Sequence, residues 1–291
     1  MGEIVLDAAL PMDDLRGTGT AARAAEDAGF AALSGGRFIL GVGTQVKAHI
    51  ERRFGVPWDP PVPKLREYIR AMRAVWRSWQ EDAALRVEGR YYRLSLMTPF
   101  FNPGPIDHPA IPVYIAGVNP LLCRLAGEVA QGFHVHPFHT VLYVTSVVHP
   151  NVTLGLQASA RPRETIEFFA PVFVAPGDTA EEQREERTRA RAQIAFYAST
   201  PSYQIVLRTH GWDEIAGRLQ RLAAQRKWDE MAAQVPEELL DAVVIGGSWE
   251  EVGQQVRRRY SGVLDRVACY RPFTQAELPK WRRLVTGFRG G

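Results

Sequence analysis

The chain of 291 residues holds only two cysteines, Cys123 and Cys269, far apart and without metal-ligand spacing. Two cysteines cannot staple a fold of this size, so both read as small buried hydrophobes. Lysine is scarce as well: Lys47, Lys64, Lys227 and Lys280 are the whole set, and arginine carries nearly all the positive charge. With abundant alanine, that bias fits a high-GC bacterial genome. No basic stripe interleaved with aromatics occurs and the formal net charge is only +3, so nucleic acid is not an expected partner. No apolar run approaches the length of a membrane span, and no charged start leads into one. A membrane partner is therefore not expected, and the cytoplasm is the expected compartment. Internal repeats, low-complexity segments, a G-x-S-x-G elbow and a P-loop are all missing. A full G-x-G-x-x-G fails too, because Val46 stands where the third glycine belongs, which disfavours a nicotinamide-binding Rossmann domain.

What remains is a regular alternation of short apolar strands and amphipathic helices, the pattern of a mostly parallel sheet covered by helices. Hydrophobic content of 46% supports a sizeable core. Strands are expected at residues 4–10, 37–40, 112–116, 132–137, 166–174, 241–245 and 264–270, with a hairpin at 88–93. Asp13 and Asp14 can cap a helix ending near Gly29, followed by a short apolar run at 30–33. The stretch 64–80 places Leu65, Tyr68, Ile69, Met72, Val75, Trp76 and Trp79 at three- and four-residue spacing, which is a core stripe. Further helices are expected at 46–54, 121–130, 138–148, 179–197, 248–260 and from 274. The sequences TAEE at 179–182 and SWEE at 248–251 read as capping boxes. The whole forms one domain, with a helical insertion at about 198–240. A proline-rich segment at 57–63 is either a rigid connector or a lip over a site.

Three strands end in glycine-rich or polar turns: GVGTQ at 41–45, AGVN at 116–119, and HVH at 134–136. In a parallel sheet these turns share one rim, where α/β proteins place ligands. Gly41 and Gly43 let backbone approach a ligand closely, with Thr44 and Gln45 beside them. Ala116, Gly117, Val118 and Asn119 lead into a helix that opens at Pro120, a site for phosphate through free amides. His134 and His136 alternate onto one face of their strand. They can hydrogen-bond a bound ring or phosphate, or act as general acid. No third ligand with fitting spacing accompanies them, so no metal is expected.

Taken in order, SGGRFILGVGT at 34–44, GRYY at 89–92, IPVYIAGV at 111–118, LAGE with GFHVHPF at 125–138, and VIGGSWEEV at 244–252 resemble the luciferase-like monooxygenase superfamily. Within it they are most similar to the oxidoreductases that use the deazaflavin coenzyme F420. The resemblance implies an eight-stranded (β/α) barrel with the cofactor at the carboxyl ends of its strands. It places Gly41, Gly43 and Thr44 beside the ring or its side chain, and Ala116, Gly117 and Val118 around the phosphate. It implies hydride transfer between F420 and a small organic substrate, with His134, His136 and Gln45 lining the pocket and a histidine donating a proton. FMN-dependent monooxygenation is the alternative, and a degenerate relative without catalysis a third reading. Two departures stand out. About two βα units, strands two and three with their helices, are missing after Leu33, including the strand that supports the cofactor ring. In addition, Gln131 stands where the family usually has an acid before the glycine that opens strand six. An incomplete barrel is therefore expected, with a homo-oligomer covering the gap.

Overall fold

The computed structural model describes residues 4–7 and 36–290. The helix expected after Asp13 and Asp14, the run at 30–33, Ser34 and Gly35 lie outside the described residues. The chain passes from β1 (Val5–Asp7) to β2 (Leu40–Gly43), then α1 (Lys47–Arg52) and the long α2 (Pro61–Glu81). An antiparallel hairpin of β3 (Val87–Glu88) and β4 (Arg93–Leu94) precedes β5 (Val113–Gly117), α3 (Pro120–Val129) and β6 (Gly132–Val135). Next, α4 (Val141–Tyr143) runs through a π-turn, Val144–Val148, into α5 (His149–Ala158), and then come β7 (Glu167–Val172) and β8 (Val174–Pro176). Five helices follow: α6 (Ala180–Ala198), α7 (Gln204–Arg208), α8 (Asp213–Ala224), α9 (Trp228–Ala233) and α10 (Glu237–Val243). The chain ends with β9 (Ile245–Gly247), α11 (Trp249–Tyr260), β10 (Arg266–Cys269) and α12 (Leu278–Gly290).

Six strands form one sheet in the order β1-β10-β7-β6-β5-β2, and every neighbouring pair is parallel. Side chains that alternate along a strand decide which face is core. Phe168, Ala170 and Val172 of β7 are buried with Phe133 and Val135 of β6 and with Val113 and Ile115 of β5. Their alternates, Ala116, His134 and Phe169, are register partners on the opposite face. β1 and β2 are the two ends of this sheet and do not pair with each other, so among the described residues the barrel is not closed. After β7 the chain breaks at Phe173, and β8 leaves to pair with β9 in a separate parallel ladder.

Helices cover the core face at two very close crossings. A Cβ placed on Gly127 of α3 would lie 2.1 Å from the Val152 carbonyl oxygen, and one on Gly155 of α5 would lie 2.0 Å from that of Arg124. The same reciprocal contact joins Gly253 of α11 and Gly287 of α12. Arg161 then closes the end of α3 by donating to the carbonyls of Gly127 and Ala130. Gln131 shows why an amide suffices at its position. Its Oε1 accepts from Arg73 Nη2 at 2.8 Å and from the Val113 amide at 3.1 Å, tying α2 to the start of β5. Glu67 of α2 similarly accepts three backbone amides, of Arg90, Tyr91 and Tyr92, and pins the hairpin.

Several expected boundaries move. Residues 237–243 are helical rather than the start of a strand, because Leu239, Leu240 and Val243 recur on one buried helical face. Only Ser248 makes a complete capping box; at Thr179 the Glu182 carboxylate turns to the Asp178 amide instead. Both cysteines are buried and free. No described helix is long and apolar enough to cross a membrane.

Candidate active site

The turns after β2, β5 and β6 meet in one cleft of about 650 Å³, and every residue picked from the sequence lines it. Gly41, Gly43, Thr44 and Gln45 come from the first turn, Ala116 to Asn119 from the second, and His134 and His136 from the third. The parallel register makes this meeting inevitable, since strand ends on one rim carry turns on that same rim.

At the first turn, a Cβ on Gly41 would meet no atom within 4 Å. Packing therefore does not demand glycine there, and the space above its backbone is open. Gln45 is exposed with φ of 56°, a left-handed conformation rare for a side-chain-bearing residue. The second turn is held rigidly. A Cβ on Gly117 would lie 2.8 Å from that of Leu122, so only glycine admits the first turn of α3. Buried Tyr143 donates its hydroxyl to the Val118 carbonyl at 2.5 Å, and Thr140 Oγ1 accepts the Tyr143 amide at 3.1 Å. Asn119 occupies the N-cap of α3 in an extended conformation, but its side chain makes no capping hydrogen bond. Pro120 has no N–H, and the Leu122 and Cys123 amides donate to the Asn119 carbonyl at 3.0 and 3.2 Å, so the Leu121 amide is the one of that first turn left for an anion.

The histidines are neutral. His136 is stacked on Tyr203, with centroids 4.2 Å apart, and meets Tyr197 edge-on at 4.7 Å. Burial, aided by His139 and His134, pushes its pKa down to about 3. Its Nδ1 accepts the Phe138 amide at 3.1 Å, which leaves the proton of the neutral ring on Nε2. His134 stands edge-on to Phe169 at 4.7 Å, and burial lowers its pKa too. These rings therefore offer hydrogen bonds to a ligand rather than positive charge. Fully buried His139 sits behind them, its Nδ1 2.8 Å from the His136 carbonyl oxygen. Among the described residues, no group of three His, Cys, Asp or Glu could hold a metal ion.

Trp58, Pro61 and Val62 of the proline-rich segment line the cleft, as a lip over a site would, whereas sequence reasoning missed Tyr114, Ser202 and Tyr203. Tyr197 and Tyr203 reach His136 across more than sixty positions of sequence, and the only local signal was a proline turn following the end of a helix.

A sequence profile for the family described as luciferase-like monooxygenase matches residues 17–266. The chain belongs to this family. An uncharacterized protein of Mycobacterium tuberculosis is 40% identical to this luciferase-like chain over 234 residues, 80% of the chain and 69% of the relative. The 5,10-methylenetetrahydromethanopterin reductase of Archaeoglobus fulgidus is 27% identical over 77% of the chain and 64% of the relative. Among solved structures, the coenzyme F420-dependent tetrahydromethanopterin reductase of Methanopyrus kandleri aligns with a TM-score of 0.66 at 20% identity. That alignment covers 91% of the luciferase-like chain and 75% of the reductase. An EDTA monooxygenase of Chelativorans aligns with a TM-score of 0.57 at 16% identity, covering all of this chain and 74% of the other.

Proposed function

We propose that this luciferase-like chain binds coenzyme F420 in the cleft at the ends of β2, β5 and β6 and transfers hydride between it and a small organic substrate. One observation carries the reading: an open glycine floor, an uncapped helix N-terminus and a pair of neutral histidines face the same cleft. These features fit the parts of a deazaflavin. The Leu121 amide and the positive end of the α3 dipole suit its phosphate. The floor at Gly41 and Gly43 leaves room for the flat ring or its side chain, and the 650 Å³ volume is that of a ligand site. A putative coenzyme F420-dependent oxidoreductase of Mycobacterium tuberculosis, 28% identical over 77% of the chain and 67% of the relative, supports the choice of F420.

When bound, the deazaflavin supplies the hydride chemistry. The chain holds and shields it. Tyr143 fixes the phosphate turn through the Val118 carbonyl, and Trp58 and Tyr203 wall the cleft from water. His136 presents Nε2–H as a neutral donor, with His134 beside it and Gln45 on the rim. FMN-dependent monooxygenation is the second reading, because the same helix N-terminus suits the phosphate of FMN and the EDTA monooxygenase shares the fold.

Fluorescence titration with oxidised F420, reduced F420 and FMN tests this. Saturable F420 binding tighter than FMN is expected. FMN binding alone moves the reading to the monooxygenase, and binding of neither removes the enzyme reading in favour of a non-catalytic relative.

A further inference from the structure

Behind His134 lies a second cleft of about 600 Å³, walled by Phe169, Pro171 and Phe173 and lined also by Gln193 and Tyr270. His134 borders both clefts. The charged groups of this second cleft are occupied with one another. Glu186 pairs with Arg189 at 2.8 Å and Arg271 at 3.3 Å, and Arg271 pairs with Glu277 at 2.5 Å. A charged substrate finds no uncommitted counter-charge among these groups.

The polar feature left is a hydroxyl cluster. Tyr197 Oη and Tyr270 Oη are 2.7 Å apart, and Gln193 Nε2 donates to both, at 3.2 and 3.0 Å. Neither hydroxyl has another hydrogen-bond partner among the described residues. Counting protons shows what the cluster can do. If Tyr197 donates to Tyr270, both lone pairs of the Tyr270 oxygen are taken and its O–H is free to donate. If Tyr270 donates to Tyr197 instead, its oxygen keeps one lone pair open to accept. Reversing one hydrogen bond turns the same phenol from a donor, suited to a carbonyl, into an acceptor, suited to an alcohol.

We propose that the Tyr270 hydroxyl, held by Gln193 beside it in the cleft wall and by Tyr197 behind, forms a subsite for the oxygen of a neutral carbonyl compound or of its corresponding alcohol, with the carbon skeleton against Phe169 and Phe173. Binding at this subsite stands by itself; the conversion of one form to the other rests on the hydride-transfer reading above.

Fluorine NMR titrations of the intact chain test it with four probes: para-fluoroacetophenone, its alcohol, para-fluorotoluene and para-fluorobenzoate. The ketone and alcohol are expected to bind at least about tenfold more tightly than the oxygen-free and anionic probes. Tyr270→Phe and Gln193→Leu should each weaken ketone and alcohol binding by roughly five- to tenfold, the loss of one or two hydrogen bonds. They should leave para-fluorotoluene binding, F420 titration and the melting curve unchanged. Equal binding of ketone and para-fluorotoluene, tighter binding of the benzoate, or ketone binding untouched in both variants would overturn the proposal. Ketone selectivity in a chain that binds no F420 would refute the hydride reading and leave the subsite standing; F420 binding without that selectivity would do the reverse.

Discussion

Gly41 and Gly117 are glycines of one rim, yet physics asks for them differently. At Gly117 an added Cβ runs into Leu122, so Gly117→Ala must shift the start of α3; about 1–3 kcal/mol of stability should be lost with cofactor binding. At Gly41 the added methyl meets nothing in the protein. Gly41→Ala should therefore melt like the parent, or slightly higher, while binding F420 more weakly. Thermal melts and the F420 titration read both variants; a Gly41→Ala protein with unchanged F420 affinity would mean that the open floor is not where the cofactor lies. His139 supplies a pH prediction. Burial holds its pKa at about 4, against an ordinary 6.5 in an unfolded chain. Between those values the unfolded state binds a proton that the folded state refuses, so stability is full above the unfolded pKa and is lost as pH falls toward the folded one. The loss from this residue is roughly 2 kcal/mol near pH 5, and His136 acts in the same direction. Urea melts at neutral and mildly acid pH should show a shallower decline in His139→Asn than in the parent, whatever its absolute stability.

Among elements, the crossing of α3 and α5 connects packing to the site, because the start of α3 opens onto the cleft. Gly155→Ala would place a methyl 2.0 Å from the Arg124 carbonyl oxygen, a contact that only separation of the helices relieves. Its cost of about 1–3 kcal/mol should exceed the roughly 1 kcal/mol that alanine gains in helix propensity. Gly217→Ala in α8 meets only the end of the Arg221 side chain, at 3.5 Å, so there the propensity gain should appear as a higher melting temperature. The contrast between these glycines is invisible in sequence, where Gly217 falls in the expected helical insertion and Gly155 lies beyond the helix expected at 138–148. The strands were legible because their short apolar runs stop at turn residues, and the rim was legible because glycines and alternating histidines mark those stops. Where the two periods overlap, the reading failed. The β-branched run at 243–245 suggested a strand, but the apolar spacing at 239, 240 and 243 carries the helix through Val243. The expected strand at 166–174 splits because β8 leaves for a partner more than seventy residues away. Tyr197 and Tyr270 were out of reach for the same reason, since only topology brings them together.

At the scale of the whole molecule, the described residues form six parallel strands in one sheet whose ends, β1 and β2, do not pair with each other. An end strand exposes a row of amides and carbonyls that need partners, and a barrel normally removes this liability by closing. Apolar surface is also uncovered at that end, since Val5 of β1 is 48% exposed. A second copy of the chain supplies both missing items at once, backbone partners for the edges and cover for the side chains. The expected state in solution is therefore a homo-oligomer, and light scattering coupled to gel filtration should give a multiple of 32.5 kDa. If the gap is where copies meet, the cofactor cleft that begins at β2 borders the interface, so dilution should weaken F420 binding and dissociate the assembly over the same concentration range. A monomer that binds F420 with concentration-independent affinity would show instead that the chain covers its own edges.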